Sequence, residues 1–152
     1  MSAVAVIAVG NPYRHDDGVG PAALSMLRTE LPEVDLFELD GEPTRLLDAW
    51  TGRRLAVVVD AVRAGSEPGS IHRIEVGVDT VPAPAIQGST HATGLVEAVA
   101  VARALDRLPE RLVLFGIEPA DLGNGAGLSS AAERALPGLV RCIVAEARPL
   151  CA

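Results

Sequence analysis

Apolar runs recur along the chain at 3–9 (AVAVIAV), 34–39 (VDLFEL), 55–59 (LAVVV), 71–76 (IHRIEV) and 111–117 (RLVLFGI), and each predicts a strand. Between them, apolar residues spaced three and four apart predict helices over about 19–30, 43–50, 92–107 and 130–147. VAVIAV and LAVVV have no polar alternation, as expected for central strands covered on both faces, whereas IHRIEV alternates and is assigned to an edge. Strand alternating with helix through most of the chain predicts an α/β domain of three layers. Pro43 suits a first helical position, and Ser130 with Glu133 has the spacing of a capping box. The stretches Gly65 to Gly69 and Pro82 to Ser89 are predicted loops.

Composition narrows this picture. The 152 residues carry a formal charge of −7 and thirteen basic residues, all of them arginine. That length suits one domain with a real core, so residues 1–152 are expected to form a single unit. Aromatics make up only 3% (Tyr13, Phe37, Trp50 and Phe115), which leaves Val, Leu, Ile and Ala to fill the interior. An acidic chain with four scattered aromatics offers neither a phosphate-binding footprint nor a stacking platform, so nucleic acid is excluded as a partner. No run approaches the roughly 18 apolar residues of a spanning helix, and the N-terminus has no basic region before its apolar stretch. Cys142 and Cys151 form neither a CxxC pair nor a disulfide framework, consistent with a reducing, cytoplasmic setting.

Ligands of an open parallel sheet bind beyond the carboxyl ends of its strands. Three polar features are predicted there: Asp16 and Asp17 at the entrance of a helix after the first strand, Asp60 directly after LAVVV, and His91 before the helix that starts near Ala92. Asp16 and Asp17 also suit an ordinary helix start, where acids are favoured. Asp60 is harder to assign to structure alone, because a carboxylate abutting a buried strand is desolvated unless something positive meets it. Two carboxylates and a neutral imidazole are a suitable donor set for a divalent transition metal with positions left for a substrate. No GxGxxG, GxxxxGK[ST] or GxSxG pattern is present, which removes support for nucleotide binding or a serine nucleophile.

The segments VGNPYRHDDGVGPAAL (9–24), ELDGEPTRLLD (38–48), LAVVVDAV (55–62), GSTHATGLVEAV (88–99) and LFGIEPADLGNGAGLS (114–129) resemble, in order and spacing, the hydrogenase maturation proteases. These endopeptidases trim the C-terminus of the nickel-iron hydrogenase large subunit. The resemblance implies a five-stranded, mostly parallel sheet of order 2-1-3-5-4 with strand 4 antiparallel. It further implies that Asp17, Asp60 and His91 contact nickel already inserted in the precursor, so that the metal arrives with the substrate. Some members have glutamate at the position of Asp17, which makes Asp16 a possible stand-in. Bond breaking then has two routes: nickel polarises the carbonyl or activates a water, or a carboxylate acts as general base, with Asp16, Asp40 and Glu118 as candidates. Asp40 equally suits an Asp-Gly turn, and Glu118 the end of a strand. A noncatalytic nickel-binding or chaperone module would use the same ligands. A small-molecule hydrolase is a third reading, for which the few aromatics offer little stacking surface. A protease with one substrate has no evident need to self-associate, and a monomer is expected.

Overall fold

A computed structural model of the chain describes residues 1–77 and 92–151, without the side chains of 92 and 93. In chain order the elements are β1 (Val4–Val9), a short 3-10 turn (His15–Gly18), α1 (Val19–Glu30), β2 (Asp35–Leu39) and α2 (Pro43–Trp50). Then come β3 (Leu55–Ala61), β4 (Ile71–Glu75), α3 (Ala92–Ala104), β5 (Arg111–Ile117) and α4 (Ser130–Ala147). The sheet order is β2-β1-β3-β5-β4, with every pair parallel except β4 and β5. The expected topology is therefore the observed one.

The apolar pattern explains the layers. Successive side chains of a strand point to opposite faces. Val4, Val6, Ala8, Val57 and Val59 meet Leu24 and Leu27 of α1 and Leu139 and Ile143 of α4 on one face. Ile7, Val9, Ala56, Val58, Leu112 and Leu114 meet Leu46 and Trp50 of α2 and Leu95 and Ala98 of α3 on the other. β1 and β3 are buried along their whole length, as continuous apolar runs require, while the edge strands β2 and β4 are partly exposed. The edge assignment of IHRIEV holds. Among the described residues, no helix is long and apolar enough to cross a membrane.

Three boundaries differ from the sequence reading. β3 continues past Val59 through Asp60 and Ala61, which pair with Gly116 and Ile117, because the backbone ladder is indifferent to the polarity of the side chain. Helix α3 ends at Ala104, and Asp106 just beyond it takes φ 54. The cap of α4 is Ser129 rather than Ser130: its backbone is extended and its hydroxyl accepts from the Ala132 N–H at 3.2 Å. Glu133 is thus one position too late to close a capping box. The loop expected over Pro82 to Ser89 lies outside the described residues.

Since β1 and β3 are neighbours, the chain leaving β1 runs toward β2 on one side of the sheet and the chain leaving β3 toward β4 and β5 on the other. The carboxyl ends of these two strands flank the switch point, where an open α/β sheet has its crevice.

Candidate functional site

The site grows from the end of β1. Gly10 has φ +142, and a Cβ placed on it would lie 1.9 Å from the Asp17 carbonyl oxygen and 3.7 Å from Asp60 Oδ1. Only a glycine lets the chain turn here with the Asp17 backbone on one side and the Asp60 carboxylate on the other. The Asn11 N–H then donates to Asp17 Oδ2 at 2.8 Å, which fixes that carboxylate back toward the β1 end. Asp60 arrives on β3 directly after the apolar run, and its Oδ1 accepts from the Ala61 N–H at 2.8 Å. Both acids are buried, Asp17 at 0% and Asp60 at 2% exposure. Asp60 borders a small pocket whose remaining lining includes Val9, Leu46, Val58, Leu95 and Leu114.

Asp16 is equally buried but serves a different part of the molecule. Its Oδ2 accepts from the Ala120 N–H at 2.7 Å, the Asp121 N–H at 3.3 Å and the Ser129 hydroxyl at 2.8 Å, and its Oδ1 accepts from the Ser129 N–H at 2.7 Å. Consecutive residues of a 3-10 turn are about 120° apart, so neighbouring acids are directed to different partners. Burial pushes the Asp16 carboxyl up, but these donors outweigh it and hold its pKa below the ordinary aspartate value. The same two loops are sewn together by His15 N–H to Gly125 O at 2.8 Å, Gly125 N–H to Tyr13 O at 2.9 Å, and Arg14 Nη2 to Leu122 O at 3.0 Å.

The other candidates separate from this centre. Glu118 is buried, accepting from the Ala64 and Ser66 N–H groups at 2.9 and 3.0 Å, with His72 Nε2 3.2 Å from the same oxygen. It anchors the connection that leaves β3. Asp40 is exposed, accepts from the Glu42 N–H at 3.1 Å and pairs with Arg45 at 2.9 Å. The Glu42 N–H and the Arg45 guanidinium keep its pKa below the ordinary value. This is the Asp-Gly turn anticipated as the alternative. His91 lies outside the described residues. The helix that follows it begins beside the loop after β2: a Cβ on Gly94 would lie 2.0 Å from the Gly41 carbonyl oxygen. The described end of the STHATGL segment, at Gly94, therefore meets the ELDGEP segment, at Gly41, backbone to backbone. Among the described residues no group of three His, Cys, Asp or Glu side chains is gathered tightly enough to hold a metal.

Sequence reasoning passed over Ser129 and His72. The tandem Ser129-Ser130 concealed which serine caps α4, and only the pairing of β4 with β5 brings His72 toward Glu118.

The fold and this crevice define an α/β protein with two buried acids converging at the switch point of a mixed sheet. The model of the hydrogenase maturation protease family matches residues 23–146, and the chain belongs to that family. It is 32% identical over 129 residues to the hydrogenase expression/formation protein HupD of Thiocapsa roseopersicina, an alignment covering 82% of this chain and 58% of that relative. The chain thus spans less than two thirds of that relative's length. The fold is similar to that of the hydrogenase maturating endopeptidase HybD from E. coli, with a TM-score of 0.81, 23% identity, and 98% and 93% of the two chains covered. The NiFe hydrogenase maturation protease HybD from Thermococcus kodakarensis gives 0.78 at 22% identity, covering 97% of this chain and 99% of that one.

Proposed function

We propose that this protein is an endopeptidase that removes a C-terminal peptide from the nickel-loaded precursor of a NiFe hydrogenase large subunit. It reads the nickel through Asp17, Asp60 and His91. The observation that carries this reading is the convergence of the Asp17 segment and the Asp60 carboxylate on Gly10, at the crevice between β1 and β3. Both acids are buried at this crevice, where a cation delivered by the substrate would meet them. Family membership supports the substrate class.

None of the three candidate general bases is well placed for the role. Asp16 and Glu118 already accept hydrogen bonds from several donors, and Asp40 lies on the surface paired with Arg45. A carboxylate engaged in this way, with its pKa lowered in the cases of Asp16 and Asp40, takes a proton from water poorly. The route this favours places the nucleophilic water at the precursor's nickel, where its pKa falls toward neutrality, with Asp17, Asp60 and His91 orienting the metal against the scissile carbonyl.

The test is to incubate the protein with nickel-loaded and nickel-free precursor and to weigh the products. Loss of the C-terminal peptide from the loaded form alone is the expected result. Equal cleavage of both forms overturns the nickel-reading mechanism. A stable complex with unchanged mass instead supports a noncatalytic docking module.

A further inference from the structure

Asp16 and Asp17 are neighbours, both wholly buried, yet their carboxylates are held by different parts of the chain. Among the described residues, the four hydrogen bonds to the Asp16 carboxylate come from residues 120–129, more than a hundred positions away in sequence. The Asp16 N–H in turn donates to the Asp121 carbonyl at 2.9 Å. A carboxylate so filled is occupied as an acceptor, and what it does is tie the 3-10 turn to the loop between β5 and α4. Asp17 is the next residue of that turn, and its contact with the Asn11 N–H depends on where the turn sits.

We propose that Asp16 is a positioning residue for the reaction proposed above, holding Asp17 in register by bolting the 3-10 turn to the β5–α4 loop, with Ser129 as its partner. The inference rests on that reading of Asp17 for its catalytic consequence, though not for the bolt itself. Displacing a reacting group by about 1 Å is enough to cost on the order of a hundredfold in rate. Ser129 is the joint of the device. Its one hydroxyl donates to Asp16 Oδ2 and accepts from the Ala132 N–H, so the start of α4 and the turn bearing Asp17 share a single side chain.

The two duties of Ser129 can be separated by substitution. Asparagine caps a helix and can also donate to Asp16; aspartate caps equally well but cannot donate and sets a second carboxylate against Asp16. The full chain is prepared as Ser129→Asn and Ser129→Asp, and the exchange rate of the Asn11 amide proton is measured by NMR without substrate. In parallel, kcat and KM are measured on nickel-loaded precursor. The expected result is at least tenfold faster Asn11 exchange and at least tenfold lower kcat, with KM within about threefold, in Ser129→Asp, while Ser129→Asn stays near wild type in both. Unchanged Asn11 exchange in Ser129→Asp overturns the positioning role, as does a loss confined to KM. Should that variant not fold, Ser129→Ala removes the donor without the like-charge contact, and its Asn11 exchange decides the matter in the same two ways. If the wild-type protein cuts no precursor, the proposed function fails while the exchange measurement still judges the bolt.

Discussion

Asp16, Asp17, Asp60 and Glu118 are four buried carboxylates, and their hydrogen bonds sort them more sharply than their burial does. Asp17 and Asp60 adjoin Gly10 at the crevice, whereas Asp16 and Glu118 hold loops in place. Asp17→Asn and Asp60→Asn keep side-chain shape and one accepting oxygen while removing the charge that would meet a cation. Cleavage of nickel-loaded precursor by either variant is expected to fall at least a hundredfold, within the range of a lost acid–base or metal-contacting group, with the melting temperature little changed. Glu118→Ala is expected to behave in the opposite way. It removes the buried carboxylate that accepts from the Ala64 and Ser66 N–H groups, a loss of about 2 kcal/mol in urea unfolding, while the folded fraction keeps its specific activity.

At the scale of elements, the site depends on close backbone approaches that set helix positions against the strand ends. The first turn of α3 sits against the loop after β2 because neither Gly94 nor Gly41 has a side chain to hold them apart. A methyl on Gly94 would stand 2.0 Å from a carbonyl oxygen, so α3 must move, and with it Leu95 beside Asp60. Gly94→Ala is therefore expected to destabilise the fold by at least about 2 kcal/mol, although alanine is the better helix former in isolation. Chemical denaturation measures that loss, and a stability gain would show that α3 is not seated by this contact. The sequence predicted this helix from its spacing, but neither its contact nor its position relative to Asp60 is visible in the spacing of residues along the chain.

Across the whole molecule, charge is concentrated in an arginine–glutamate network that closes the antiparallel edge. Arg111 bonds Glu75 and Glu146 at 2.9 Å each, and Arg73 joins both acids, tying β4, β5 and α4 together. The Arg111 guanidinium, against the opposing effect of burial and with help from Arg73, holds the Glu75 carboxyl down at about 2. A folded-state pKa below the unfolded one means that the stabilisation is fully present above the unfolded value near 4.5 and is lost as pH falls toward 2. Unfolding midpoints in urea are accordingly expected to drop between pH 5 and pH 2, and Glu75→Gln to flatten that decline. Its effect near neutral pH should be about 1 kcal/mol, because both arginines are more than a third exposed and partly screened by solvent. Added salt should reduce the difference between the two proteins.

Much of this architecture was legible in the residues. Uninterrupted runs such as VAVIAV can only be satisfied between two helical layers, and the alternation in IHRIEV suits a strand with one side open, so the central strands and the β4 edge followed from side-chain chemistry and a period of two. The position of Asp60 beside the crevice was readable for the same reason, since an acid at the end of a buried run is placed by the run itself. What the chain could not announce was the division of labour between Asp16 and Asp17. They differ by one position in sequence, and their partners come from opposite ends of the chain: Asn11 for one, residues 120–129 for the other. Hydrogen bonds between segments a hundred residues apart exist only once the sheet has ordered its strands, and it is there that two like acids acquire different tasks.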